Sequence, residues 1–273
     1  MGAAAEQTAL VAEAFSRNAT YFDEVDEKNP IVAWMRKRVR SHFLSTLKPA
    51  SRILEINAGT GIDAEYFAGL GHTVLATDNA PGMLEKMRQK IAVSDHPGRL
   101  TARQCSFNDL RLLNEGTFDA IYSNFGGLNC TADLGEVISR FASLLNPGGT
   151  ATLVIMPRVC PWELLQIVRG KAGLAFRRLK KNGAPSLLGG VYFYTYYYTP
   201  REVIKYFGSD FEMLKLESLG CLVPPPYMEN FPARLPRLFR SLRKWEEKIA
   251  HYRTFRNWGD YFILTMQYLP KER

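Results

Sequence analysis

The residues whose types and spacing are suited to chemistry lie in two short runs. In the first, Glu55-Ile56-Asn57-Ala58-Gly59-Thr60-Gly61, small residues follow directly on a β-branched stretch. A tight turn of small residues lets the backbone approach a ligand, and doubly wound folds bind their cofactors at the carboxyl edge of the sheet. The second run, Val74-Leu75-Ala76-Thr77-Asp78, ends in an acid, and a carboxylate at a strand end can accept both hydrogen bonds of a ribose diol. The same acid also suits a plainer role, as a negative charge ahead of the helix that Pro81 opens. Gly59, Gly61 and Ala64 keep the G-x-G-x-x-G/A spacing of dinucleotide enzymes, so the two runs point to an adenosine-bearing cofactor and leave a nicotinamide dinucleotide among the choices.

Positioning those residues requires strands and helices in alternation, and the chain supplies them. Strands are expected at Ser51 to Ile56, Thr73 to Thr77, Leu100 to Cys105, Phe118 to Asn124 and Thr150 to Met156; helices at Ile62 to Leu70, Pro81 to Ser94 and Ala132 to Leu145. Parallel neighbours need crossovers, so this rhythm implies an α/β fold. Before it, Asn29-Pro30 caps a helix carrying Ile31, Trp34, Met35, Val39, Phe43 and Leu47 on one face, with Arg36, Lys37, Arg38 and Arg40 expected on a solvated side. After Pro157 the rhythm breaks. Trp162 to Lys181 and Phe231 to Tyr252 read as basic amphipathic helices, Thr199-Pro200 caps a short helix, and Phe211 to Leu219 and Tyr261 to Tyr268 read as closing strands.

From about Phe15 to Met156 the chain resembles the class I S-adenosylmethionine-dependent methyltransferase superfamily, in the broad branch that includes the ubiquinone-biosynthesis C-methyltransferases. The resemblance rests on four motifs in order. They are the Glu55 to Gly61 run, Ala76-Thr77-Asp78-Asn79-Ala80-Pro81-Gly82-Met83-Leu84, Phe118-Asp119-Ala120-Ile121-Tyr122-Ser123-Asn124-Phe125-Gly126, and Leu145-Asn146-Pro147-Gly148-Gly149. It implies a Rossmann-like, doubly wound, seven-stranded and mostly parallel sheet with helices on both faces and a small substrate cap. It implies S-adenosyl-L-methionine as cofactor, with Glu55 organising the loop and Asn57, Ala58, Gly59, Thr60 and Gly61 against the methionine part. Asp78 would take the ribose, Asn79 and Met83 the adenosine, and Asn124, Phe125 and Gly126 would sit close to the sulfonium. Asn57 stands where the family usually has glycine, tolerable at negative φ or in the left-handed region that Asn enters. The acid that usually binds the adenine amino group is absent from Cys105-Ser106-Phe107, leaving Ser106, Phe107 or Asp109 to replace it. Phe15 to Glu24 resembles the family's lid, with Tyr21 and Phe22 as candidate lid aromatics and Leu128, Asn129, Tyr194 and Tyr196 as further candidates near the substrate.

These expectations divide the chain into an N-terminal helical lid (1-50), a cofactor-binding core (51-157), a cap insertion (158-198) and a C-terminal part of the core with an inserted basic helix (199-273). The activity expected is in-line methyl transfer to a small, largely apolar or aromatic molecule. Alternatives are a nicotinamide-dependent oxidoreductase, a nucleic-acid methyltransferase and a non-catalytic cofactor-binding module. A formal charge of +8 keeps a polyanionic partner in view, but the Asp/Asn-Pro-Pro-Tyr signature of amino-methylating nucleic-acid enzymes is absent after Ser123. Cys105, Cys130, Cys160 and Cys221 form no CxxC pair, which speaks for free thiols rather than a metal site. His42, His72, His96 and His251 form no recognisable acid–base set, and no catalytic residue is assigned.

The crowded run Tyr192-Phe193-Tyr194-Thr195-Tyr196-Tyr197-Tyr198 alternates so that the even-numbered tyrosines share a face, either packing between layers or lining a cavity above Asn124 to Leu128. Arg234, Arg237, Arg240, Arg243 and Lys244 interleave with Leu235, Leu238, Phe239, Leu242 and Trp245. A packed cap helix with solvated charges is preferred there over contact with an anionic membrane. No apolar run spans a bilayer and no basic n-region opens the chain, so the default expectation is a cytoplasmic protein.

Overall fold

A computed structural model describes residues 2–271. Among the described residues nine strands form: β1 (Arg52–Glu55), β2 (Thr73–Asp78), β3 (Leu100–Gln104), β4 (Phe118–Ser123), β5 (Leu145–Ile155), β6 (Ala184–Leu188), β7 (Val191–Thr195), β8 (Phe211–Leu219) and β9 (Tyr261–Tyr268). Seven of them make one sheet in the order β3-β2-β1-β4-β5-β9-β8, and β6 pairs with β7 in a separate hairpin. Strands β1 to β5 run parallel, whereas β9 lies antiparallel to both β5 and β8. A dinucleotide fold places its six strands 3-2-1-4-5-6; here the last strand in sequence is inserted before the edge.

Successive side chains of a strand face opposite ways, and the two faces of the sheet build two cores. Ile53, Val74 and Tyr122 point into one, Leu54, Leu75 and Ile121 into the other. The first core is covered by helices α2 (Pro30–Leu44), α3 (Ile62–Gly69) and α4 (Pro81–Ala92); the second by α5 (Leu134–Ser139) and α6 (Pro200–Tyr206). Asn29 caps α2 by accepting from the N–H groups of Ile31 and Val32. Phe43 from α2, Phe67 from α3 and Tyr122 from β4 meet with ring centroids 4.7–5.1 Å apart, fixing both helices to the middle of the sheet.

Helix α1 (Ala3–Lys28) lies across the carboxyl edge of the sheet, against α4 and the β6–β7 hairpin. Close approach is possible because Gly82 faces it, where a Cβ would collide with the Ser16 backbone at 2.6 Å. The hairpin holds the other end. Gln7 donates to Tyr194 O and accepts from Tyr194 N, continuing the ladder with a side chain.

The insertion after Pro157 differs from the sequence reading. Trp162 to Lys181 is not one helix but short turns, Pro161–Leu164, Leu165–Arg169, Ala172–Ala175 and Arg177–Leu179. The reason is a buried ion cluster that demands side chains from several directions: Arg178 donates to Glu163 and Asp260 at 2.7 and 2.6 Å, and Arg177 to Glu163. Strand β7 also ends earlier than the aromatic run. Val191, Phe193 and Thr195 are buried while Tyr192 and Tyr194 face solvent; alternation then stops, and Tyr197 and Tyr198 are both buried. Phe231 to Tyr252 resolves into a short turn, Phe231–Arg234, and helix α7 (Pro236–Ile249). Among the described residues no helix is long and apolar enough to cross a membrane.

Candidate active site

A cavity of about 350 Å³ opens at the carboxyl ends of β1, β2 and β4, beneath α1. Its floor is the turn after β1. Asn57 takes φ 50° and Gly59 φ 59°, so Asn57 uses the left-handed region that its short polar side chain tolerates. The Asn57 side chain is held on both sides, accepting from Ser123 Oγ at 2.7 Å and donating to Asn124 O at 3.3 Å. Gly127 is the complement: a Cβ there would occupy the Asn57 amide.

Asp78 lies at the end of β2 in the same wall. Its two carboxylate oxygens accept from Gly59 N and Ala80 N, each at 2.8 Å. Each oxygen keeps a lone pair for a further donor, the requirement for gripping a diol. Burial pushes the Asp78 carboxyl up to about 6, against the pull of the Ala80, Gly59 and Asn79 N–H groups. Beside it stand Asn79, Ser106 and Phe107; Asp109 lies outside the cavity, in a shallower cleft with Asn79, Gln104 and Ser106.

The cavity's roof is aromatic and tied at several points. Phe15 and Phe22 of α1 face the cavity, and the Phe22 ring lies 3.7 Å from where a Gly59 Cβ would be. Asp23 pairs with Lys90 at 2.7 Å and accepts from Thr60 Oγ1. Tyr21 is 61% exposed and does not line the cavity. The other proposed substrate-side residues are also elsewhere. Leu128 is buried in the core, and Asn129 is a structural clip, its side chain bonding Met156 N, Met156 O and Tyr196 O. Tyr194 faces solvent and Tyr196 packs beside the second core. The far wall comes instead from Asp26, Val32, Asn124, Phe125, Pro226 and Tyr261. Glu55, Ala58, Thr60, Gly61, Met83 and Gly126 lie behind the surface rather than in it.

Behind that wall is an arrangement that the sequence reading placed in solvent. Arg36 is buried, donating to Asp63 Oδ2 at 2.5 Å and to Asp26 through Nε at 3.0 Å, and its guanidinium lies over the Phe125 ring. Arg40 reaches Asp63 Oδ1 at 2.7 Å, Asn124 Nδ2 donates to Oδ2 at 2.7 Å, and Arg38 pairs with Glu217. Of that basic run Lys37 alone is exposed. Burial would raise the Asp63 carboxyl, but Arg36, Arg40 and the Asn124 amide hold it below the usual carboxylate range. Glu55, buried under the turn, has the opposite fate: desolvation, reinforced by the Asp63 charge, pushes its carboxyl well up. The available signal was the i, i+4 spacing of Arg36 and Arg40, which puts both beside the apolar stripe, together with an acid in the first turn of α3.

The four cysteines are free thiols, three of them buried. Cys130 lines the cavity, but burial pushes its thiol up to about 12, which makes it a poor nucleophile at neutral pH. Cys160, Glu163 and Asp260 converge closely enough to ligate an ion; the Arg178 guanidinium already stands between the two acids. None of the histidines lines the cavity.

Residues 53–149 match the family model described as a methyltransferase domain. Over that segment the chain carries a methyltransferase domain. A ubiquinone biosynthesis O-methyltransferase from Xanthomonas campestris pv. campestris is 34% identical over 110 residues, 40% of this chain and 45% of that relative. The match thus spans less than half the relative's length. Two solved structures share the fold. A Listeria monocytogenes protein described as a putative S-adenosylmethionine-dependent methyltransferase superposes with TM-score 0.60 at 15% identity, covering 87% of this chain and 98% of that one. The Burkholderia thailandensis 1,6-didemethyltoxoflavin-N1-methyltransferase, with its substrate and S-adenosylhomocysteine bound, gives TM-score 0.57 at 16% identity, covering 99% and 92%. The methyltransferase cofactor fits the residues present: a backbone-lined turn at Asn57 to Gly59, a carboxylate with free lone pairs at Asp78, and the Phe107 ring beside it.

Proposed function

We propose that the chain transfers a methyl group from S-adenosylmethionine to a small, largely apolar or aromatic molecule. The observation that carries this reading is the make-up of the cavity's far wall. Val32, Phe125, Pro226 and Tyr261 offer apolar surface, and Asp26 and Asn124 add few polar contacts, the pattern of small-molecule sites. Bound S-adenosylmethionine supplies an electrophilic methyl group on a sulfonium. In this reading Asn57 lies against the methionine part of the cofactor and Asp78 takes its ribose, while Phe15 and Phe22 exclude water from above. Asn124, locked to Asp63, fixes the edge nearest the far wall. With the cavity's thiol held protonated and no histidine in its walls, the rate rests on bringing acceptor and methyl into line. The relative named for ubiquinone biosynthesis and the neighbour holding 1,6-didemethyltoxoflavin support a small-molecule acceptor.

The test is transfer of labelled methyl from S-adenosylmethionine into a cell extract. The expected result is label in the organic-extractable fraction, lost with Asp78→Ala. Label in the nucleic-acid fraction that disappears after nuclease treatment would overturn the proposal.

A further inference from the structure

Helix α7 is fixed to the body along one edge. Phe239 is buried beside Phe231, and the buried Glu246 carboxylate accepts the N–H groups of Cys221, Leu222 and Val223 at 2.7–2.9 Å. At about 100° per residue, Leu242, Ile249, Leu238 and Trp245 carry the apolar stripe onward from Phe239. The body covers only its near half. Leu238 is 46% exposed and Trp245, two turns further on, 56%; Leu235 at the helix start is 48% exposed. Around the corner from that bare edge, Arg237, Arg240, Lys244 and Lys248 are all exposed, and Glu247 is the one exposed acid of α7.

We infer that this helix docks the protein on an anionic lipid bilayer. A helix lying in a membrane interface needs a Trp- and Leu-bearing edge at the acyl boundary, with cations beside it for phosphate groups, and α7 presents both from a rigid mount. A nucleic-acid backbone would use the cations and leave Leu238 and Trp245 in water. Phe231, at the base of α7, packs on Trp162 at 5.9 Å. Trp162 begins the insertion whose tip bares Ile167 and Val168 beside Arg169 and Lys171, a second apolar and basic projection. Pro226, a wall of the cavity, lies in the segment leading into α7, so docking would bring the acceptor's entrance close to the lipid.

Flotation of the full chain with vesicles tests this without any methyl acceptor, so its outcome is independent of the proposed reaction. Binding is expected to vesicles of phosphatidylcholine with phosphatidylglycerol, weakened by salt, and not to phosphatidylcholine alone. Removing three cations (Arg237→Ala, Arg240→Ala, Lys244→Ala) should weaken partitioning roughly a hundredfold, at about fivefold per charge near the surface. Trp245→Ser should abolish the blue shift of tryptophan emission on binding. Both variants change exposed positions, and each is used only where its melting temperature matches the parent's. Failure of the parent to float with anionic vesicles would overturn the inference. So would equal binding to neutral vesicles, or unchanged binding by both variants. Self-association removed by Trp245→Ser, without vesicle binding, would assign the edge to a second copy of the chain instead.

Discussion

Replacing Asp63 by Asn removes one negative charge from the network behind the active-site wall while keeping the side chain's shape. Asp63 is 2% exposed and answers two guanidinium groups, Arg36 at 2.5 Å and Arg40 at 2.7 Å, plus the Asn124 amide. A hydrogen bond to a charged group contributes about 1.5–3 kcal/mol, and breaking a buried pair by removing one partner costs about 3–5 kcal/mol. Arg36 keeps Asp26, and Arg40 stays stacked 3.9 Å above the Tyr66 ring. The lower end therefore applies, about 3 kcal/mol, or a fall of roughly 6–12 °C in melting temperature at about 2–4 °C per kcal/mol. The pH dependence has a definite sign. Asp63 sits below its ordinary value of 3.8, so its contribution is complete above that pH and is lost as pH falls through the depressed folded value. The variant should lack that acid-labile part. Thermal melts of parent and Asp63→Asn between pH 3 and 7 measure both effects; a shift under about 2 °C at neutral pH would refute the argued worth of the network.

Asp78→Ala should weaken S-adenosylhomocysteine binding by roughly 1.5–3 kcal/mol, read by calorimetric titration; unchanged affinity in a folded variant removes Asp78 from the site. In the parent, affinity should fall as pH drops through about 6, where the raised Asp78 carboxyl takes up its proton. The same shift has the opposite effect on the unliganded fold, whose stability declines as pH rises from 3.8 to about 6. Gly127→Ala drives a methyl into the Asn57 side chain and should cost about 1–3 kcal/mol of stability, with cofactor affinity falling alongside; a parent-like melt and titration would speak against the Asn57–Gly127 contact. Phe22→Ala should lower cofactor affinity about tenfold, since a half-buried ring forfeits part of the roughly 1.5–3 kcal/mol that full burial gives, and an unchanged titration would remove Phe22 from the lid.

The parallel half of the sheet was legible because β1, β2 and β4 are short, largely apolar runs closed by small or polar residues, although β5 begins at Leu145, five residues before the expected Thr150; Phe211 to Leu219 and Tyr261 to Tyr268 match β8 and β9 to the residue. The cavity's floor and the wall at Asp78 were legible for a related reason. Asn57, Gly59, Asp78 and Asn124 sit at strand ends, where one position in the sequence fixes one place in space. The far wall was not. Pro226 and Tyr261 reach the cavity from distant segments through tertiary packing, and local pattern carries no trace of that. Tyr194 and Tyr196 misled because alternation along β7 predicts a face but not which layer lies against it. Arg36 and Arg40 misled because charge on a helix usually marks water, and only the position of Asp63 in three dimensions makes their burial tolerable.

Titration calorimetry of the purified chain with S-adenosylhomocysteine, and separately with NAD, tests most directly whether this cavity binds the methyltransferase cofactor through Asp78. Saturable binding of S-adenosylhomocysteine at a single site, weakened by Asp78→Ala and absent for NAD, is the predicted result. Tight binding of NAD, or no heat with S-adenosylhomocysteine from a chain that melts cooperatively, would contradict it.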